Sequence, residues 1–580
     1  MPGFFISNDT LNITLQNRYP QNCVFEDMQI ESMTLKRATL NKFMNDKTFS
    51  FLDDIIVILD GYLLNKKSLL EKYDVADISE LMVKMYKQAG DEFFAVFRGS
   101  FAGALYDKKQ DKWIIFTNHI GDNAVFYTCS DDFFCAGSQI NYVLEACREK
   151  KIQLSFDENA AYQMLTFGYM EDNSTYANEI KRLRGGTYLF VSGGKAVIKE
   201  YHTFKKISNR FAGLSENEII DLLDVEFERA VSLEYEKDEE YGYKHLADMS
   251  GGLDSRMAVW LAHESKKRKI QLMTYCKSDY LDETISKKIA EFWKDELLIK
   301  PLDDANFLYD IDEITGLNWG LSLYYGITGG KRMLESLNMN LYGLEHTGMI
   351  GDVVIGSFYK SARETDNLMI SGKYSEKLNF RLDKAKSDAY HSLYESHELY
   401  LLYTRAFQGA ANTHLIRKNF TEVASPFLDV DFLQFCLDIP LELRIKHNLY
   451  KKWIIQKHRD ASAFKWEKTN SKITDSAVVT FFKKAYNRAP QRILSYFGLS
   501  NKLARGMNPI GYWISHNEEI KNFFTEYSRD GLKNASSITS SQLLSDLTML
   551  IESGTAVEKT MALTVLSSIR LYFGENNEFI

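Results

Sequence analysis

The chain has 580 residues, 45% of them hydrophobic and 13% aromatic, with only 7 prolines; that length supports about two to four cores, and the composition excludes long disordered arms. A net charge of −9 leaves no electrostatic footprint for nucleic acid, which is not expected as a partner. No apolar run approaches the roughly 18 residues of a membrane span and no basic-then-apolar leader occurs, so no membrane partner is expected and the location is read as cytoplasmic. The six cysteines (Cys23, Cys129, Cys135, Cys147, Cys276, Cys436) lack metal-ligand spacing and read as reduced and mostly buried.

Residues 1 to about 200 carry short alternating or apolar runs bounded by turn signals: 55–59 before Asp60-Gly61, 101–106 before Asp107, then 113–117, 124–127, 133–136 and 187–191. This pattern predicts a strand-dominated half. Beyond Tyr201 the texture turns helical, and Ser215-Glu216-Asn217-Glu218 is a capping-box signature opening a long helix. The boundary near 203–214 gives one unit over 1–205 and a second over 206–475. Residues 476–580 contain amphipathic stretches such as 556–573 and read as a helical C-terminal extension of the second unit.

Inside the second unit, Ser250-Gly251-Gly252-Leu253-Asp254-Ser255 lies between an apolar-leaning stretch, 243–249, and a helix-like run, 256–264. A strand that turns through two glycines into a helix exposes unpaired N–H groups at the helix's positive end, where a polyphosphate binds well. The glycines permit close backbone approach, the serines add hydroxyl donors, and Asp254 is a hard ligand for Mg²⁺. The loop lacks the spacer and the Gly-Lys-Ser/Thr ending of a Walker A motif. It resembles the loop of ATP pyrophosphatases, which cleave ATP to AMP and pyrophosphate and so activate a carboxylate as its acyl-adenylate.

Four stretches of the first half, Leu59-Asp-Gly-Tyr-Leu-Leu-Asn65, Phe97-Arg-Gly-Ser-Phe-Ala-Gly-Ala-Leu-Tyr-Asp107, Ala136-Gly-Ser-Gln-Ile140 and Ile180-Lys-Arg-Leu-Arg-Gly-Gly-Thr-Tyr188, precede that loop in order. Together they resemble the asparagine synthetase B-like family over roughly 25–470. The resemblance implies an α/β protein: an N-terminal αββα Ntn-hydrolase-like domain, then an α/β adenine-nucleotide α-hydrolase-like (PP-loop) synthetase domain with a helical C-terminal region. Glutamine-dependent members carry a cysteine directly after the initiator methionine, whereas this chain has Pro2, with neither thiol nor primary amine. The segment His119-Ile-Gly-Asp-Asn-Ala-Val-Phe-Tyr127 also departs from the family form. Glutamine hydrolysis is therefore expected to be absent and the first unit to serve as a platform. In logic the chain is closest to members without that cysteine, such as β-lactam synthetases and lasso-peptide cyclases.

In the second unit, His346-Thr347-Gly348-Met349-Ile350-Gly351-Asp352 resembles the family's second acidic loop, which implies that Asp254 and Asp352 share the metal and act in catalysis. Where asparagine synthetases have a glutamate and β-lactam synthetases a tyrosine, this chain has Met349, which cannot transfer protons; Glu345 and His346 stand nearby in sequence. The stretch 422–429 matches the family's Glu-x-Arg-x-Pro-Phe-Leu-Asp with drift at Ala424 and Ser425, and reads as scaffold. About forty residues on, Lys468 falls where the family places a catalytic lysine, with Lys465, Lys451 and Lys452 as alternatives. By position the resemblance implies that 246–249 and 273–275, Met249 and Thr274 among them, flank the adenine, that Thr347 and Gly348 offer backbone groups to it, and that Ser250, Gly251, Gly252, Leu253, Asp254 and Ser255 hold the phosphates. Asp282-Glu283 resembles an acidic pair of the family and equally suits a helix start.

The expected activity is thus an ATP-dependent, Mg²⁺-requiring carbon–nitrogen ligase: a small-molecule or peptide carboxylate is adenylated, and ammonia or a substrate amine displaces AMP, as in macrolactam or peptide cyclisation. Asparagine synthase and a degenerate nucleotide-binding scaffold are the alternatives. A homodimer or a biosynthetic-cluster partner is the protein partner that this reading accommodates.

Overall fold

Within Ile55–Leu63 the side chains divide between two cores: Ile55, Val57, Leu59 and Leu63 face one, while Ile56 and Ile58 face another. A strand with both faces buried needs a layer on each side. In the computed structural model, which describes residues 2–130, 132–207, 209–266, 268–324, 328–359, 373–476, 478–483, 485 and 506–574, those layers are a second sheet and a pair of helices. One antiparallel sheet runs Lys181–Arg182, Phe126–Cys129, Phe134–Gly137, Gly3–Ser7, Met33–Leu40, Cys23–Ile30. The other runs Lys195–Glu200, Thr187–Ser192, Lys112–Thr117, Gly99–Asp107, Ile55–Leu63, Thr48–Leu52.

Phe4, Ile6 and Leu35 of the first sheet meet Ile58, Ala104, Ile115 and Leu189 of the second. Helices Lys66–Tyr73 and Ile78–Ala89 cover one outer face, and Ile140–Glu149 and Glu158–Phe167 the other. This is the four-layer αββα, Ntn-hydrolase-like arrangement. Each run named from the sequence overlaps a strand, with Ala124, Val125 and Phe133 lying just ahead of theirs.

After Lys195–Glu200 the chain enters the helix Glu216–Tyr241. Ser215 Oγ accepts from the Glu218 N–H at 3.3 Å and Glu218 Oε2 accepts from the Ser215 N–H at 2.7 Å, so the capping box is formed. Gly242, at φ 72°, ends the helix in the left-handed conformation that glycine adopts without a Cβ clash. A wholly parallel sheet follows, in the order Leu297–Pro301, Ile270–Cys276, Lys244–Asp248, Tyr342–His346, Val423–Ala424.

The C-terminal helices Glu518–Ala535, Ser541–Ser553 and Ala556–Phe573 divide their packing between the two units. Ala562, Val565, Leu566 and Ile569 join Val143, Met164 and Leu165 of the first unit in one core, and Tyr162 donates to Asp546 Oδ2 at 2.9 Å. The units are also stapled by Lys418, whose Nζ donates to Ser100 Oγ at 2.8 Å and to Asp122 Oδ2 at 3.0 Å. No helix among the described residues is long and apolar enough to cross a membrane.

Candidate active site

Counted in chain order within the parallel sheet, the strands lie 3-2-1-4-5. The order reverses between Lys244–Asp248 and Tyr342–His346, so the connections leaving their C-terminal ends diverge and open a crevice. The loops leaving those two ends are the ones that carry Asp254 and Asp352. They are adjacent because the strands pair, with Leu246 opposite Glu345 and Ala247 opposite His346.

The first loop is braced internally. Ser250 Oγ and Ser255 Oγ are 2.8 Å apart, the Ser250 N–H donates to Ser255 Oγ at 3.1 Å, and the Gly251 N–H donates to Asp282 Oδ1 at 2.6 Å. Asp282 therefore holds the loop's shape, while burial pushes its carboxyl up to about 6. The helix Asp254–Lys266 starts at the loop's end.

The second loop lies directly on that helix start. A Cβ on Gly348 would collide with the backbone of Asp254 and Ser255, and one on Gly351 would stand 2.7 Å from Asp254 Cγ. Between them Ile350 has φ 61°, a conformation costly for a β-branched residue and retained only where the surroundings impose it. The Asp352 N–H donates to Asp254 Oδ2 at 2.9 Å, and Tyr450 donates its hydroxyl to Asp254 Oδ1 at 2.9 Å. Burial, and then the neighbouring Asp352, push the Asp254 carboxyl up to about 8. Asp352 itself begins a π-wound turn, Asp352–Gly356, an irregularity frequent at functional sites.

The lysine-bearing loop closes the same site. The Glu467 N–H donates to the Gly251 carbonyl at 3.0 Å, and a Cβ on Gly251 would lie 2.8 Å from Glu467 Cβ. Arg256 donates to the carbonyls of Ala461, at 3.2 Å, and Lys465. The ammonium of Lys468 reaches His447 Nε2 at 3.2 Å and acts on the charge of Asp254. The other lysines differ: Lys465 turns to Asn470 at 3.3 Å, and Lys452 pairs with Glu216 at 2.5 Å. His447, at φ 57°, follows Lys446, at φ 58°; burial, and next Lys468, lower its basicity.

A cavity of about 470 Å³ opens beside these loops and is lined by Met249, Ser250, Gly252, Asp254, Ser255, Thr274, Thr347 and Gly348. The structure thus brings together Met249, Thr274 and both loops. Gly251 and Leu253 support the loop without lining the cavity, and Leu253 is packed in the core. Thr347 spends its N–H and its hydroxyl on the Ala424 carbonyl, at 2.9 and 3.1 Å. Sequence reasoning missed Tyr450, His447 and Arg417. Arg417 lines the cavity while paired with Glu345 and, at 2.8 Å, with Asp248; these residues lie far from the loops in sequence and belong to no motif.

His346 lies in the interior rather than at the cavity. It stacks on Tyr235, with ring centroids 3.8 Å apart, and its Nε2 meets Asp238 Oδ2 at 2.8 Å. Asp238 also receives His245 Nδ1 at 2.9 Å and the Leu344 N–H at 2.7 Å, so this fully buried cluster locks helix Glu216–Tyr241 under the sheet. In the first unit, Pro2 and Gly3 head the central strand, and a Cβ on Gly3 would collide with the Ser138 side chain. Burial raises Cys23 to about 11, leaving it as a thiol near neutral pH.

Residues 49–202 match the family model of the glutamine amidotransferase domain. The chain is 24% identical over 220 residues to a Methanocaldococcus jannaschii protein named for glutamine-hydrolyzing asparagine synthetase; the match covers 36% of this chain and 41% of that protein, under half its length. Among solved structures, the glutamine phosphoribosylpyrophosphate amidotransferase from B. subtilis, complexed with ADP and GMP, is similar at a TM-score of 0.25 and 8% identity, over 52% of this chain and 91% of that one. The allosteric regulatory enzyme of purine biosynthesis is similar at 0.23 and 8%, over 52% and 74%.

Proposed function

We propose that this chain is an ATP-dependent amide-forming ligase, which adenylates a carboxylate with release of pyrophosphate and passes the acyl group to ammonia or a substrate amine without hydrolysing glutamine. The observation that carries the reading is the meeting of Asp254 and Asp352 at the sheet's crossover: the Asp352 N–H donates to Asp254 Oδ2 at 2.9 Å, with Asp254 lining the 470 Å³ cavity and Asp352 the neighbouring one of about 570 Å³. The likeness to an asparagine synthetase over part of its length supports the reaction class.

Two half-buried carboxylates whose charges act on one another fit a divalent cation, because a hard cation on their oxygens offsets the desolvation and the like charge that raise the Asp254 carboxyl. Mg²⁺ held by Asp254 and Asp352 would neutralise the triphosphate oxygens. Loop 250–255 would hold the pyrophosphate end of ATP at a helix start, with Met249 and Thr274 beside the base. Lys468 would supply a fixed cation where charge builds on the α-phosphoryl oxygens and the leaving pyrophosphate. His447 positions that lysine, since its Nε2 faces the Lys468 ammonium at 3.2 Å.

The platform role of the first unit rests on the head of its central strand. No nucleophile stands at positions 2 and 3, and Gly3 has no room for a side chain.

The test is product analysis. The protein is incubated with Mg·ATP and a panel of carboxylic acids, aspartate and precursor peptides among them, with and without ammonia. Acid-dependent AMP and pyrophosphate are expected. ADP and phosphate as products, or no calorimetric binding of Mg·ATP, would rule the ligase out; binding without turnover on any acid would favour the scaffold reading.

A further inference from the structure

The nucleotide-sized cavity does not end at its own walls. Met349, Ile350, Tyr374, Ala410 and Thr413 also line a second cavity of about 570 Å³, which has Asp352 at its edge. Any acid adenylated beside Asp254 must keep the rest of its body in a space that opens from there, and this is the space that does. Its volume is that of pockets holding drug-sized ligands, far more than a small amino acid fills.

The walls are aromatic and partly built by the first unit. Phe167 and Tyr169 come from the end of helix Glu158–Phe167, and Phe358 and Tyr374 from the second unit. Two glycines seat them: a Cβ on Gly168 would stand 2.7 Å from the Tyr374 ring, and one on Gly409 would stand 2.9 Å from that of Tyr169. The Tyr374 N–H donates to the Thr166 carbonyl at 2.9 Å, which ties that wall to the first unit.

One charged group in this cavity has no counter-ion among the described residues. Arg405, half-buried on the π-wound segment Leu402–Ala410, has its guanidinium 5.3 Å over the Phe358 ring and has no carboxylate partner among the described residues. The more deeply buried guanidinium of Arg444 is paired with Glu398 at 2.8 Å. Lys373, also in the lining, pairs with the exposed Glu376 at 3.3 Å. A cation held over an aromatic ring inside a cavity keeps its planar donor fork for a ligand oxyanion.

We infer that the acid substrate of this site is a dicarboxylate with an aromatic or bulky apolar body, one carboxylate reaching the Asp254–Asp352 end and the second received by Arg405. This rests on the ligase reading for the first carboxylate alone. The second carboxylate changes affinity and takes no part in bond making.

The experiment measures binding by calorimetry on the full chain, without turnover. N-benzoyl-L-glutamate and N-benzoyl-L-aspartate are compared with N-benzoyl-4-aminobutyrate and N-benzoyl-β-alanine, which keep the body and lack the α-carboxylate. Each dicarboxylate should bind roughly tenfold or more tightly than its monocarboxylate partner, as a buried charge-assisted pair implies. Arg405→Gln should erase that preference with monocarboxylate binding unchanged, and Arg405→Lys should restore part of it. The wild-type comparison needs no variant, so a folding defect cannot hide the answer. Equal binding of the two classes, binding of L-aspartate alone, or no binding of any probe by a protein that binds Mg·ATP would overturn the dicarboxylate inference and leave the ligase reading standing. Loss of Mg·ATP binding itself in the wild-type protein would overturn both.

Discussion

The backbone N–H of Asp352 donates to Oδ2 of Asp254 at 2.9 Å, so two carboxylate residues 98 positions apart share one point of the molecule. Asp254→Asn should abolish pyrophosphate formation, and Asp352→Asn should lower it by about 10²-fold or more, because each removes a carboxylate from the cation beside the triphosphate. Circular dichroism should show both variants folded. Full activity in a folded Asp254→Asn protein would falsify the assigned nucleotide site.

Gly348 and Gly351 allow that contact, since a Cβ on either meets the start of helix Asp254–Lys266. Gly348→Ala should push the second loop off the helix and weaken Mg·ATP binding by about tenfold or more, with little change in far-ultraviolet circular dichroism. Wild-type affinity in this variant would mean that the loops need not touch when nucleotide binds.

Lys468 faces His447 at 3.2 Å and acts on Asp254, whereas Lys465 turns to Asn470 at 3.3 Å. Lys468→Ala should reduce turnover by about 10²–10³-fold, the usual cost of losing one preorganised electrostatic donor, and Lys465→Ala should change little. Equal mild effects would show that the lysine run is a solvated face. Release of glutamate from glutamine above a heat-killed control should not occur in any of these proteins.

Lys418 carries its charge across the two units to Asp122 and Ser100, at 3.0 and 2.8 Å. Lys418→Ala leaves Asp122 buried and uncompensated, and should cost about 3–5 kcal/mol of stability. Differential scanning calorimetry should show a lowered Tm, partly recovered by adding Asp122→Asn.

His458 sits between Asp224, at 2.8 Å, and Glu264, at 2.7 Å; burial opposes its charge, but the two carboxylates hold it at about 9. A raised histidine stabilises the fold fully below its unfolded value of about 6.5, and that contribution is lost as pH rises through the folded value. Tm should therefore fall between about pH 6.5 and 9, and His458→Gln should flatten that slope. An identical slope in the variant would place the alkaline transition elsewhere.

The apolar run 55–59 before Asp60-Gly61, the capping box at Ser215 and the Gly-Gly turn at 251–252 were legible because each depends on residues within a few positions of one another. They sufficed to anticipate a strand-dominated first half, the long helix and the strand–loop–helix that carries Asp254, whereas the sandwich was what the family resemblance implied. The partners of that loop were not local. Tyr450, His447 and Arg417 reach the site only because the parallel strands and the helices behind them fold its neighbourhood from segments up to about two hundred residues apart, and no short-range pattern marks a residue that acts from such a distance. The division of the C-terminal helices between the two units, the burial of His346 under the sheet and the placing of the Arg405 guanidinium over Phe358 were likewise decided by packing. Each is a statement about which apolar and charged surfaces meet, and that is settled only when the whole chain is closed around its cores.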